Sequence, residues 1–191
     1  MTTQVFTIAN QLTLLRMLLI PAFVIFTLYG EFGWALATFV TAGITDLLDG
    51  LAARVAGQKS DLGAWLDPAA DKLLLVTTFI VLTLPNIGLV NRIPVWLTIL
   101  VISRDVGIVL TVAIVNLAVG PRTFKPSPLG KAATAIFVVA CVVVMLFNYL
   151  GYASVVVTMF VYASLTITIV SSLHYIWHAR RIIDGPATDR S

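Results

Sequence analysis

Long apolar runs separated by short polar joints make up most of the chain. Six of them approach or exceed the ~20 mainly apolar residues that a bilayer-spanning helix needs, and they cover residues 12–29, 33–56, 65–85, 94–118, 129–149 and 152–177. The joints hold glycine, proline and charged residues, which favour turns and helix ends. The pattern predicts an all-α integral membrane protein with six transmembrane helices, and a single membrane domain over residues 1–191.

The first ten or so residues of the chain are too polar and too few to form a span of their own. Threonine, glutamine and asparagine are interspersed with apolar residues in this stretch. Such a segment can lie in the plane of the membrane surface with its apolar face in the lipid. We therefore expect a short N-terminal interfacial helix before the first span.

The distribution of lysine and arginine predicts how the chain is oriented. The joints after the second and fourth runs contain Arg54, Lys59, Arg122 and Lys125, whereas the joints after the first, third and fifth contain only Arg92. Basic joints remain on the cytoplasmic side of a membrane. The prediction is a multi-pass protein of the bacterial inner membrane, with both termini and the joint between the second and third spans in the cytoplasm.

Composition agrees with this class. The chain is 59% hydrophobic and 11% charged, whereas soluble domains carry about 25% charged residues. The net charge of +3 is small and no basic arm is present, so nucleic acid is not an expected partner. A single cysteine, Cys141, excludes an internal disulfide.

Four aspartates stand out because they lie in or beside apolar segments. Asp46 and Asp49 are three residues apart, and Asp67 and Asp71 are four apart, so each pair shares one face of a helix. An aspartate near the bilayer centre costs ~2.5–3.5 kcal/mol unless it is compensated. Clustered carboxylates without histidine or cysteine favour Mg²⁺, Mn²⁺ or Ca²⁺ over zinc. Two such ions can clamp a phosphate group during displacement at phosphorus.

Further residues around the aspartates complete a motif with eight defined positions. It reads Asp46-x₂-Asp49-Gly50-x₂-Ala53-Arg54-x₈-Gly63-x₃-Asp67-x₃-Asp71. The motif resembles the signature of the CDP-alcohol phosphatidyltransferase family, and the six apolar runs are similar to that family as well. The resemblance implies transfer of a phosphatidyl group from CDP-diacylglycerol to an alcohol, with release of CMP. It also implies a homodimer.

The resemblance assigns roles to individual residues. It implies that two Mg²⁺ or Mn²⁺ ions are bound by Asp46, Asp49, Asp67 and Asp71. Asp71 also matches the general base that takes the proton of the acceptor hydroxyl. The residues that match contacts to CDP-diacylglycerol are Asn10, Thr13, Gly50, Arg54 and Ser60, the first two through the spacing Asn10-x₂-Thr13-x₂-Arg16.

Simpler structural roles compete with several of these assignments. Gly50 can permit close helix packing, and Arg54 can anchor the chain at the cytoplasmic surface. Ser60 can cap the helix that follows it, and Asn10 and Thr13 can cap the first span.

Binding of the acceptor is predicted on a second group of residues. Arg104 and Asp105 lie inside the fourth apolar run, where a charged pair usually lines a cavity. Together with Arg122 and Lys131, Arg104 is expected to bind an anionic alcohol. The alternatives are a local ion pair at Arg104 and general attraction of Arg122 to anionic lipid.

The segments around these cations resemble two branches of the family. One uses glycerol 3-phosphate and makes phosphatidylglycerophosphate, and the other is the CMP-forming cardiolipin synthase, which uses phosphatidylglycerol. The prediction is glycerol 3-phosphate, with phosphatidylglycerol as the alternative. A cation transporter is a hypothesis from another class, because acids within a membrane also form ion pathways. Transport would not require Gly50 and Arg54 beside the acids.

Overall fold

The computed structural model describes residues 8–56, 61–119 and 128–184, and within them the side chains of residues 11–46, 70–114, 117 and 128–177. This part of the chain contains six α-helices. The helices are α1 (Ile8–Leu28), α2 (Phe32–Ala56), α3 (Asp61–Thr83), α4 (Val95–Val119), α5 (Pro128–Leu150) and α6 (Val155–Asp184). No strand occurs in these ranges. The predicted all-α class is confirmed, and each apolar run corresponds to one helix.

Four of the helices are long and apolar enough to cross a membrane within the described residues. They contain the segments Gln11–Leu28, Val95–Ile114, Pro128–Leu150 and Val155–Trp177, in α1, α4, α5 and α6. The search covered only part of the remaining two helices, because the side chains of residues 47–56 in α2 and 61–69 in α3 are outside the described set. The predicted number of six spans therefore stays a prediction. Of the expected interfacial segment, residues 8–10 already belong to α1, and the residues before them lie outside the described part.

The chain forms two compact units. The first consists of the residues up to Ile93 together with Cys141–Val157, and the second consists of Pro94–Ala140 together with the residues from Thr158 onward. Each unit therefore contains one part of α5 and one part of α6. The predicted single domain over the whole chain stays a prediction.

A tight glycine turn joins α1 to α2 in the first unit. The Glu31 amide donates to the Phe26 carbonyl at 2.8 Å, and the Gly30 amide donates to the Thr27 carbonyl at 3.1 Å. This pair of bonds satisfies the last carbonyls of α1 and requires a left-handed residue, which is Gly30 at φ 78°. The turn makes α1 and α2 antiparallel neighbours, and the buried rings of Phe23 and Phe39 meet between them at 6.0 Å.

Two asparagines connect the segment after α3 to the end of α5. The side-chain Oδ1 of Asn148 accepts a hydrogen bond from the backbone N–H of Asn91 at 2.9 Å, and its Nδ2 donates to the backbone carbonyl of Asn91 at 2.8 Å. Asn91 in turn donates through its side chain to the Tyr152 carbonyl at 2.9 Å and accepts from the Ser154 amide at 3.1 Å. Both asparagines are buried. This asparagine clasp therefore pairs backbone groups that helices alone leave unsatisfied at an interhelical loop.

The second unit contains α4 and most of α6. The Tyr175 hydroxyl of α6 donates to the Ile108 carbonyl of α4 at 3.4 Å. Ser164, Thr168 and Ser171 are buried on α6 at helical spacing. Small polar residues in such positions let membrane helices approach closely.

Candidate functional site

Two of the predicted metal-binding aspartates lie beside one arginine. Arg16 of α1 donates through Nη1 to Asp71 Oδ1 of α3, and its Nη2 lies 2.8 Å from Asp46 Oδ1 of α2. The two carboxylates come from positions 25 residues apart in the sequence. The arginine therefore joins three helices at one point and sets the two aspartates next to each other.

The position of Arg16 follows from the packing of α1. This helix contacts both α2 and α3, and Arg16 is fully buried. A buried arginine is costly unless carboxylates accept its hydrogen bonds. Thr13, one turn earlier on α1, is also fully buried, so this face of α1 places polar groups inside the first unit and not in lipid.

Burial differs sharply between the arginine and its partners. The Arg16 side chain is 0% exposed, whereas the side chains of Asp46 and Asp71 are 38% and 43% exposed. Arg16 thus approaches the carboxylates from the protein interior. Part of each carboxylate-bearing side chain remains accessible from outside the first unit.

A second charged group lies in α4. Arg104 Nη1 is 2.7 Å from Asp105 Oδ1, and the two side chains are 7% and 23% exposed. Arg104 Nε is buried without a hydrogen-bond partner in the part of the chain that the structure describes. The pair therefore leaves some of the donor capacity of a buried guanidinium unused.

The geometry is accompanied by a family match. Residues 6–170 match the model of the CDP-alcohol phosphatidyltransferase family. The chain belongs to the CDP-alcohol phosphatidyltransferase family. It is a transferase of phospholipid biosynthesis and a multi-pass membrane protein.

Relatives of this phosphatidyltransferase come from two branches. A Mycobacterium tuberculosis (strain H37Rv) protein named "Probable phosphatidylglycerophosphate synthase" is 34% identical over 189 residues, which cover 93% of this chain and 84% of the relative. The CMP-forming cardiolipin synthase of Streptomyces coelicolor is 38% identical over 143 residues, covering 70% and 62%. The Homo sapiens enzyme of that name is 38% identical over 162 residues, covering 75% and 52%.

The predicted metal ligands of this phosphatidyltransferase are only partly described. Asp49 lies three residues after Asp46 on α2, and Asp67 lies four residues before Asp71 on α3, but the side chains of Asp49 and Asp67 are outside the described set. Among the described residues, no group of three or more potential ligands forms a metal site. Two carboxylates held together and accessible are nevertheless the donor type that Mg²⁺ and Mn²⁺ prefer.

The other predicted residues of the phosphatidyltransferase distribute as follows. Thr13 is buried one turn before Arg16, and Asn10 lies on the first turn of the same helix. Lys131 is exposed near the start of α5. For Asn10, Gly50 and Arg54 the structure describes the backbone but not the side chain. Ser60 and Arg122 lie outside the described residues altogether.

Sequence reasoning missed the role of Arg16. Arg16 entered the sequence prediction only as the last position of Asn10-x₂-Thr13-x₂-Arg16. The available signal was an arginine within the first apolar run, which needs a carboxylate partner as much as the aspartates need a cation. Asp46 and Asp71 are those partners.

Proposed function

We propose that the chain transfers the phosphatidyl group of CDP-diacylglycerol to glycerol 3-phosphate, forming phosphatidylglycerophosphate and CMP. The observation that carries the proposal is the pairing of Asp46 and Asp71 from two different helices within the family signature. The choice of glycerol 3-phosphate as the acceptor rests on how much of each relative the match covers. The match covers 84% of the mycobacterial phosphatidylglycerophosphate synthase but 62% and 52% of the two cardiolipin synthases.

The aspartates would act together at the donor. Asp46, Asp49, Asp67 and Asp71 would hold two Mg²⁺ or Mn²⁺ ions, which neutralise charge on the pyrophosphate when bound. Asp71 would take the proton of the acceptor hydroxyl. The acceptor oxygen then forms a bond to the phosphorus next to diacylglycerol, and the bond from that phosphorus to the CMP oxygen breaks. The partial exposure of Asp71 supports this role, because its carboxylate can be reached by a substrate.

The nucleotide would be bound by residues of α1, of α2 and of the joint that follows α2. Gly50 would let the CDP group approach the backbone of α2, and Arg54 would reach a phosphate oxygen. The polar residues proposed to contact CDP-diacylglycerol with them are Asn10, Thr13 and Ser60.

The acceptor would be bound by Arg104, Arg122 and Lys131. Arg104 is nearly buried, and its Nε–H has no hydrogen-bond partner among the described residues, which suits a phosphate oxygen better than a loosely attracted lipid headgroup. Arg122 and Lys131 would add charge for the anionic alcohol. From the basic joints we expect this chemistry at the cytoplasmic face of a bacterial inner membrane, and we expect the enzyme to act as a homodimer.

A CMP-forming cardiolipin synthase is the second candidate. The 38% identity to the streptomycete and human enzymes favours it. Such an enzyme would use phosphatidylglycerol as the acceptor and would release CMP in the same way. Only the lipid product separates the two candidates.

The test supplies purified protein with CDP-diacylglycerol and Mn²⁺ and offers glycerol 3-phosphate and phosphatidylglycerol in separate reactions. CMP release and the mass of the lipid product are measured. We expect phosphatidylglycerophosphate from the first reaction and no cardiolipin from the second, and we expect excess EDTA to stop both CMP release and lipid formation. Cardiolipin formation would establish the second candidate. Absence of CMP release with either acceptor, alongside ion flux in liposomes, would favour the transporter instead.

A further inference from the structure

Arg16 combines complete burial with two carboxylate partners from two other helices. We propose that Arg16 is the resident counter-charge of the aspartate cluster, a positioning residue that holds Asp46 and Asp71 side by side whether or not a divalent ion is bound. Its connection to catalysis rests on the proposed function, but its effect on the fold does not.

The charges explain why such a residue is needed. Two carboxylates brought together in a mainly apolar helix bundle repel each other, and each loses hydration. A divalent ion offsets this only while it is bound, and newly inserted protein must fold before its site exists. A fixed guanidinium between Asp46 and Asp71 compensates both carboxylates without that requirement.

The shape of the guanidinium explains the choice of arginine. Its two terminal nitrogens are held in one plane and donate in different directions. Arg16 uses Nη1 for Asp71 and Nη2 for Asp46, so one side chain fixes the orientation of both. A lysine keeps the charge but offers only one nitrogen.

The buried position of Arg16 distinguishes this positioning role from phosphate binding. Arg16 has no exposed surface, and both terminal nitrogens contact carboxylates. A substrate phosphate would have to displace these contacts to reach it. Asp46 and Asp71 are 38% and 43% exposed, and a carboxylate that accepts from arginine at one oxygen can still ligate a metal through another lone pair.

The test compares thermal unfolding of variants in EDTA and in Mn²⁺. Arg16→Met keeps most of the length of the side chain but leaves two uncompensated carboxylates. The two carboxylates left behind are partly exposed, so water screens part of their repulsion, and we expect the Tm of Arg16→Met in EDTA to fall by about 5 °C for a chain of this size. Mn²⁺ should recover most of that loss, because it replaces the missing charge. Arg16→Lys should lose less in EDTA.

Two further variants make the result specific. Arg92→Met removes one exposed cation outside the cluster and should show no loss that depends on EDTA. The triple variant Arg16→Met, Asp46→Asn, Asp71→Asn removes both the guanidinium and the two carboxylates that would repel each other. In EDTA it should therefore be more stable than Arg16→Met alone. If Arg16→Met cannot be purified, recovery of folded protein by the triple variant supports the proposal and its failure overturns it.

The proposal is wrong if Arg16→Met loses the same Tm in EDTA and in Mn²⁺, because that result indicates a packing role only. Absence of CMP release by the wild-type protein would refute the proposed function and leave these Tm differences unchanged. For Arg16→Lys, we expect a kcat reduced at least tenfold with an unchanged KM for CDP-diacylglycerol, since the aspartates keep their charge balance but lose their fixed orientation.

Discussion

The asparagine clasp between Asn91 and Asn148 gives a direct test of how the first unit is held together. Replacing Asn148 by alanine removes the acceptor for the backbone N–H of Asn91 and the donor to the backbone carbonyl of Asn91. Asn91 is 7% exposed and Asn148 is 3% exposed. Water therefore has little access to the groups that lose their partners.

The expected magnitude follows from these two backbone groups. A buried donor or acceptor that loses its hydrogen bond costs about 1–3 kcal/mol. With two groups affected, Asn148→Ala should destabilise the protein by about 2–6 kcal/mol. At about 2–4 °C per kcal/mol for a chain of this length, the Tm should fall by about 4–24 °C.

The chain provides its own reporter for the assay. Cys141 is the only cysteine and is fully buried on α5, two helical turns before Asn148. A dye that fluoresces on reacting with a thiol reports the temperature at which Cys141 becomes accessible. Leu150→Ala, at a 48% exposed side chain in the same helix end, is the matched control and should change the Tm by less than about 3 °C.

Two outcomes would refute this reasoning. A Tm of Asn148→Ala within about 2 °C of the wild type would mean that the clasp contributes little. A loss of CMP release at a temperature where the variant is folded would mean that the clasp affects the active site. We expect no such loss, because the described end of α3 at Thr83 is about 18 Å along the helix from Asp71.

Three further predictions concern single residues. Asp71→Asn should reduce CMP release by about 10²–10⁴-fold with folded protein still recovered from the membrane, as expected for loss of a general base; an active variant would exclude that role. Arg104→Gln should raise the KM for the acceptor by at least tenfold and leave the KM for CDP-diacylglycerol unchanged; equal effects on both would argue against acceptor binding. Gly30→Ala should lower the Tm in the thiol assay by a few degrees, because a side chain at φ 78° costs about 1–2 kcal/mol; an unchanged Tm would contradict the turn geometry.

The amino-acid sequence determined the helices of this protein and its family. Six apolar runs correspond to six helices, and the run predicted at 33–56 is Phe32–Ala56 in the structure. Such agreement is expected because the length and polarity of a membrane helix are local properties of the chain. The motif is also local: its spacing places Asp46 and Asp49 on one helix and Asp67 and Asp71 on another.

Orientation, the metal ions, the dimer and the acceptor stay predictions, because they depend on a membrane, ligands or a second chain. Within the chain, the tertiary structure decided which cation the aspartates meet. Arg54 and Lys72 are near them in sequence, yet Arg16, which is 30 residues before Asp46, is the residue that contacts Asp46 and Asp71. Spacing along one helix cannot specify that contact. It arises because α1 packs against α2 and α3 together and buries Arg16 where only carboxylates can compensate its charge.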